Sequence, residues 1–354
     1  MTGDEKVLLG ELLRRTSRSF YLTLRIVPES VRLQIGLAYL LARTADTIAD
    51  TELLPVNRRL EALRGLRERI AGRSNAPIAF GEFTSCQHVD AERALLERVE
   101  SSLTLLGRLS AADLKLVRWA LEIIITGQER DLTVFGGGTA VNAGANPNTV
   151  RAFRDEGELE DYIYRVAGCV GEFWTRLCRR HLFPDAQIDE EKLLAHGVRF
   201  GKGLQLVNVL RDLAGDVRRG RCYLPADKLA GAGLGPADLL DPANEPKLRP
   251  VYDLYLDKAV AFLDSGWAYT NALPRNQFRL RLACAWPILI GLKTLDRLRT
   301  ARVLDPGHRV KISRAEVYRL MLLSVVCYPV PLLWTRLFSS TTTPVRRVEM
   351  HVQR

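Results

Sequence analysis

The sequence is short of the signals that mark zinc enzymes, disulfide scaffolds, dinucleotide-binding domains and membrane-spanning proteins. Its six cysteines, Cys86, Cys169, Cys178, Cys222, Cys284 and Cys327, include no CxxC pair. Several stand in apolar helical context, so reduced structural thiols are expected rather than disulfides or zinc ligands. The five histidines are scattered and no HExxH occurs, which argues against zinc hydrolysis. The triple glycine Gly136–Gly138 neither follows a strand pattern nor opens a helix, so it reads as a surface loop rather than a phosphate cradle. No apolar run reaches the ~20 residues that cross a bilayer. The most membrane-like stretch, Leu320 to Trp334, is interrupted by Pro329 and Pro331. It is expected to form a buried terminal helix in preference to one lying at a membrane surface. The first residues, MTGDEKVLLGELLRRT, mix acids and bases without the apolar core of a secretory signal. A cytoplasmic protein is expected, peripheral on the inner face of a membrane if it meets one.

Strict apolar/polar alternation is also missing, while apolar residues recur at helical spacing nearly throughout. The fold class expected is all-α. No linker or fixed-period repeat divides residues 1–354, so a single domain is expected, with a last helix over 314–338. The 354 residues carry a formal net charge of +10, which suits an anionic partner: nucleic acid, acidic lipid or a polyphosphate. No basic patch interleaved with aromatics supports nucleic acid. The stretch Ser74–Cys86 reads as a loop.

The charge pattern concentrates in one place. The stretch Gly201 to Pro225 reads as a long helix, on which Gln205, Asn208, Asp212 and Asp216 are spaced three and four residues apart. That spacing stacks them on one face. Two aspartates at i and i+4 repel, and burying them unpaired costs more still, so a cation should lie over that face. A second pair, Asp46 and Asp50, follows Tyr39 and Arg43 on one stripe of an apolar helix from Glu29 to Thr51. Two such pairs suit hard, oxygen-seeking cations such as Mg²⁺, which uses a few carboxylates plus substrate phosphates. Arg218, Arg219 and Arg221 either answer the helix dipole or close over a diphosphate. Gly127 and Asp131 either contact a ligand or serve helix packing. Val166, Ala167, Gly168, Val170 and Gly171 form a wall of small residues, which either lets helices approach or leaves room for a long apolar ligand.

Taken together, TSRSF (Thr16–Phe20), YLLARTADTIAD (Tyr39–Asp50), YRVAGCVG (Tyr164–Gly171) and LQLVNVLRDLAGD with GRCYLP (Leu204–Pro225) resemble the squalene/phytoene synthase family of head-to-head prenyl transferases. The resemblance covers nearly the whole chain. Thr47 after Asp46, CAWP (Cys284–Pro287) and VKISRAEV (Val310–Val317) look most like its squalene synthase branch. It implies a helical isoprenoid-synthase fold with one central cavity. Asp46, Asp50, Asp212 and Asp216 would hold Mg²⁺, or Mn²⁺, against substrate diphosphate across its mouth. Two farnesyl diphosphates would condense to presqualene diphosphate, which NADPH would reduce to squalene. Tyr162 matches the family tyrosine that assists proton removal. Phe20, Tyr39, Arg43, Val166, Gly171, Gln205, Asn208, Arg211 and Tyr223 match substrate positions. Arg18, Arg43, Arg211 and Lys311 match positions that handle the NADPH phosphate. The chain departs from the pattern at Ala49 and Gly215, where many relatives carry glutamate, and at Ser313, which replaces a basic residue. The alternatives are a non-reducing relative (phytoene, dehydrosqualene or presqualene diphosphate synthase) and an inactive lipid-binding or assembly protein. Four intact motif aspartates stand against the second.

Overall fold

The computed structural model describes residues 7–17, 20–136, 150–339 and 341, with the side chain of Phe20 outside that set. The surface loop expected at Gly136–Gly138 therefore lies outside it beyond Gly136. Among the described residues the chain is helical apart from one parallel pairing of Arg151–Ala152 with Arg221–Cys222.

Helix α1 (Glu29–Ala49) follows Pro28 and has Glu29 in its first turn, where the helix dipole favours an acid. Val31, Leu37, Leu40, Leu41, Ala45 and Ile48 are fully buried, which fixes its rotation and turns Tyr39, Arg43 and Asp46 toward the interior cavity. α2 (Val56–Ala71), α3 (Asp90–Glu97) and α4 (Val99–Leu106) follow, and a short helix Gly81–Ser85 interrupts the expected Ser74–Cys86 loop. α5 (Ala111–Phe135) packs along α1 and α2, and the three bury one large apolar cluster. A second cluster surrounds α8 (Glu190–Arg218), α9 (Glu245–Ala272) and α10 (Phe278–Leu298). α8 begins eleven residues before the expected Gly201 and stops at Arg218, short of Pro225. Its start is fixed by Asp189, whose carboxylate accepts the Lys192 N–H at 3.0 Å. Its end is fixed by Gly220 at φ +78, a conformation open to glycine that turns the chain back so that Arg221 and Tyr223 re-enter the interior.

Between the clusters run α6 (Glu156–Ile163), a π-turn over Tyr164–Gly168, and α7 (Cys169–Leu182). The small-residue wall here serves packing. A Cβ on Gly171 would lie 1.9 Å from the Gly197 carbonyl oxygen, and one on Gly201 would lie 2.1 Å from that of Ala167. α7 and α8 thus touch backbone to backbone. The substrate role expected of Gly171 is corrected accordingly: it faces α8, and Val166 and Val170 are the wall residues that reach the cavity.

One buried carboxylate ties three helices together. Asp113 on α5 accepts from Gln34 Nε2 of α1 at 3.0 Å and from Arg180 Nη1 of α7 at 3.2 Å, and lies 2.9 Å from His181 Nε2. Burial would raise its pKa, but the hydrogen bonds from His181 and Gln34 win and hold it below the ordinary carboxylate value. A depressed folded pKa adds stability above the unfolded value and loses it as pH falls. Asp113→Ala is expected to cost about 3 kcal/mol near neutral pH. In urea titrations the gap to wild type should narrow below pH ~4.

The last segment differs most from expectation. It forms two helices, α11 (Arg314–Cys327) and α12 (Pro331–Ser339), broken at Tyr328–Val330 beside the two prolines. The buried terminal helix is not found. Ser324, Trp334 and Leu337 face inward, where Ser324 Oγ accepts from Trp286 Nε1 at 2.9 Å and Trp334 stacks on Trp267. The opposite face of both helices is exposed and apolar.

Candidate active site

A cavity of about 910 Å³ opens between the two apolar clusters. Ile35, Leu121, Ile124, Val166, Val170 and Phe173 form its apolar part, and the polar lining comes from α1, α5, α8 and two returning segments. From α1 come Tyr39, Arg43, Asp46 and Asp50; from α8, Gln205, Asn208, Arg211, Asp212 and Asp216. Tyr162, Tyr223 and Lys311 also line it. The metal, substrate and cofactor residues that the resemblance implies thus meet in one cavity, except Gly171, Arg18, which lies outside the described residues, and Phe20, whose side chain does; Gly127, Ala167 and Gly168 do not line it either. Arg218 turns away and donates to the carbonyl oxygens of Ala214 and Leu304.

The carboxylates are crowded and partly dehydrated. Burial, reinforced by the charges of Asp50 and Asp131, pushes Asp46 up to about 7 despite Arg43, whose Nη1 is 3.8 Å away. Gln128 Nε2 donates to Asp46 Oδ1 at 2.5 Å. Burial pushes Asp216 up to about 6 against its ion pair with Arg219, and the neighbouring Asp212 adds to the rise. Asp212 goes the other way. Burial opposes its charge, but Arg211 and Arg309 hold it below the usual range. Arg211 Nη2 is 2.6 Å from Asp212 Oδ2, and Arg309 Nη2 is 2.7 Å from Oδ1.

Two residues weakly signalled in the sequence join the pairs. Asp131 on α5 is buried, pushed up to about 6 by burial despite Arg221, and its Oδ1 has no hydrogen-bond partner. Arg221 brings one buried guanidinium within 3.6 Å of Asp50 and Glu52 and 3.5 Å of Asp131. The sequence hint was only that Asp131, with Gly127, either contacts a ligand or serves helix packing, and that Arg221 follows the second aspartate pair closely enough to close over a diphosphate. Arg309, two residues before Lys311, had no signal beyond its charge.

Tyr162 sits amid this group. Its ring stacks on Tyr223 at 4.8 Å, and its hydroxyl accepts from Gln205 Nε2 at 3.3 Å. Burial, then the charges of Asp131, Asp216 and Asp46, raise its pKa well above that of a free phenol. It therefore remains a neutral hydroxyl at physiological pH. Tyr39 donates its hydroxyl to the Thr16 carbonyl oxygen at 3.1 Å, tying the segment before α1 to the cavity.

Among the described residues no three His, Cys, Asp or Glu side chains gather closely enough to hold a metal ion alone. The donor set still fits divalent cations that arrive with a phosphate ligand. Asp131 has an unsatisfied buried oxygen, and Asp46 and Asp216 are destabilised as free anions. Mg²⁺ commonly takes one or two carboxylates and completes its shell with substrate oxygens and water.

An all-helical fold around one cavity, with two aspartate pairs on separate helices at its polar end, is that of an isoprenoid synthase. The structure matches a ligand complex of TcSQS with a TM-score of 0.74 at 20% identity, covering 97% of this chain and 94% of that one. The chain belongs to the squalene/phytoene synthase family, whose family model matches residues 13–316. The bifunctional lycopene cyclase/phytoene synthase of Phaeosphaeria nodorum is 27% identical over 310 residues, 86% of this chain and 47% of that protein. The chain thus spans about half the length of that relative. The 15-cis-phytoene synthase of a Paracoccus species is 25% identical over 319 residues, 89% of this chain and 88% of that protein.

Proposed function

We propose that the protein condenses two farnesyl diphosphates head to head to presqualene diphosphate and reduces that intermediate to squalene with NADPH. The observation that carries this reading is one cavity lined by both aspartate pairs, by a set of apolar side chains and by Lys311. Asp46, Asp50, Asp212 and Asp216 would hold Mg²⁺, or Mn²⁺, against the substrate diphosphate. When bound, the metal neutralises the leaving diphosphate and favours ionisation of the allylic C–O bond. The chain's own groups do the rest. Arg219 and Arg221 stand beside Asp216, Asp50 and Asp131 and add positive charge where diphosphate oxygens would lie. Ile35, Leu121, Ile124 and Phe173 keep water from a carbocation. Tyr162, a neutral phenol, acts as a relay: it can accept a proton only by passing its own onward.

For the reductant, Lys311 is exposed at the cavity and makes no ion pair with a described residue, which leaves its charge available to a cofactor phosphate. Arg43 and Arg211 are engaged, by Glu92 and Asp46 and by Asp212, and would have to exchange partners. A non-reducing condensation is the second reading, favoured by the phytoene synthase activity in the names of both relatives.

Purified protein given farnesyl diphosphate and Mg²⁺, with and without NADPH, tests this by mass spectrometry of the products. Squalene formed only with NADPH is expected. Presqualene diphosphate or dehydrosqualene in both samples, or phytoene from geranylgeranyl diphosphate, would replace it with the second reading.

Arg309 occupies Asp212 Oδ1, where a metal would bind, so cation and guanidinium compete. Arg309→Gln is expected to tighten Mn²⁺ binding to substrate-free protein about three- to fivefold, the worth of one exposed ion pair. Electron paramagnetic resonance of free Mn²⁺ reads this directly; weaker binding in the variant would contradict it.

A further inference from the structure

The four motif aspartates are not held alike. Asp212 accepts guanidinium hydrogen bonds on both oxygens, from Arg211 at 2.6 Å and Arg309 at 2.7 Å, and Asp216 is paired with Arg219. Asp46 and Asp50 are approached more loosely. Arg43 Nη1 lies 3.8 Å from Asp46 Oδ2, and Arg221 Nη1 lies 3.6 Å from Asp50 Oδ1. At those separations neither guanidinium makes a hydrogen bond to its aspartate. Arg43 is kept back by Glu92 of α3, whose Oε1 accepts from its Nη2 at 2.6 Å. Among the described residues, the close side-chain donor to this pair is a neutral amide: Gln128 Nε2 donates to Asp46 Oδ1 at 2.5 Å. The first pair is also the more open. The side chains of Asp46 and Asp50 are 35% and 57% exposed, against 24% and 12% for Asp212 and Asp216.

Gln128 stands on the stripe of α5 that lines the cavity. Ala120, Leu121, Ile124, Gln128 and Asp131 recur there at helical spacing, and the amide follows three apolar side chains. The helix is pinned at that level. A Cβ on Gly127 would lie 2.9 Å from Arg165 Cβ, so α5 rests directly on the π-turn. An ionised carboxylate only accepts, so the amide nitrogen faces Asp46 and occupies one of its two oxygens. A guanidinium in that place would cancel the charge that draws a cation. An amide orients the carboxylate and leaves its charge whole, which is how groups behind a metal ligand commonly act.

We propose that Gln128 is a positioning residue for a divalent cation. It anchors Asp46 by Oδ1 and leaves Oδ2 as the oxygen that the cation takes, so that metal enters at Asp46/Asp50 before Asp212 is freed of its two arginines. This rests on the reading of the aspartates as metal ligands, and not on which prenyl diphosphate is condensed.

The test is Mn²⁺ binding to the full chain, read by electron paramagnetic resonance with and without inorganic diphosphate. Gln128→Met keeps the length of the side chain and removes the donor. It is expected to bind Mn²⁺ about tenfold more weakly, the usual cost of losing a hydrogen bond to a metal-ligating group, while melting within a few degrees of wild type. Gln128→Asn, shorter by one methylene, should lose the same contact and the same affinity, which keeps the test open if the methionine variant fails to fold. With diphosphate present and Asp46→Asn as the background, Gln128→Met should change Mn²⁺ affinity by less than about twofold, because it acts through Asp46. In turnover, Gln128→Met should raise the half-saturating Mg²⁺ concentration about tenfold and reach the wild-type rate at saturation. A loosened fold would not give that split. Unchanged Mn²⁺ affinity in Gln128→Met would overturn the proposal. So would a loss that persists undiminished in the Asp46→Asn background, or a rate that saturating Mg²⁺ does not restore. If wild type binds no Mn²⁺ even with diphosphate, the proposal fails together with the metal reading. If the binding results hold but no squalene forms, Gln128 keeps its role and the proposed reaction fails.

Discussion

Asp216→Asn is expected to lower product formation about a thousandfold, the loss of several kcal/mol of metal-held charge stabilisation, without lowering the stability of the metal-free protein. The two halves have one origin. Asp216 is buried beside Asp212 on α8, with Arg219 as its ion-pair partner, and its pKa is pushed up to about 6 by burial. A folded-state pKa of about 6 against an unfolded value of about 3.9 means the carboxylate costs stability that accrues as pH rises from about 4 to about 6 and is present in full above that. Asparagine keeps the shape and removes that cost, and the half-exposed Arg219 left behind is solvated. The melting temperature of metal-free Asp216→Asn at pH 8 should therefore equal or exceed wild type. A variant with more than a tenth of wild-type activity, or one that melts well below it, would show that Asp216 is a structural ion pair instead.

Gly171→Ala should produce the opposite combination, a loss of stability that takes activity with it. Its Cβ would sit 1.9 Å from the Gly197 carbonyl oxygen, and neither backbone can yield without α7 moving off α8. Overpacking of this kind costs about 3 kcal/mol, and the displaced α8 is the helix that carries Gln205, Asn208, Asp212 and Asp216. Gly215 is the matched control. It lies inside the second aspartate motif, yet a Cβ there meets nothing within 4 Å. Gly215→Ala should leave the fold intact and gain roughly 0.5–1 kcal/mol from helix propensity. Urea denaturation of the two variants separates these cases. Similar midpoints for both would contradict the close-contact account.

The contrast between these glycines shows what was legible. Spacing alone placed Asp46 with Asp50 and Asp212 with Asp216 on helix faces, because i, i+4 periodicity is local and survives any packing. Tyr39, Arg43, Gln205 and Asn208 came with them for the same reason. Gly171 and Gly215 look alike in sequence, and only the helix crossing distinguishes them. Arg221 gathers Asp50, Glu52 and Asp131 from two other helical regions, a long-range arrangement fixed by the turn at Gly220 and the short pairing with Arg151–Ala152. Arg309 reaches Asp212 across 97 residues of chain. The segment Leu320–Trp334 was misjudged because hydropathy reports that a helix is apolar, not which neighbour covers it; its outer stripe has none among the described residues.

The central claim is that both aspartate pairs act together on one diphosphate. Its most direct test is a crystal of the protein with Mn²⁺ and the unreactive farnesyl thiodiphosphate, with anomalous scattering used to place the metal. The account predicts manganese peaks against both Asp46/Asp50 and Asp212/Asp216, with the diphosphate between them and Arg309 released from Asp212. Metal at one pair only, or a diphosphate bound away from the cavity mouth with Arg309 still on Asp212, would contradict it.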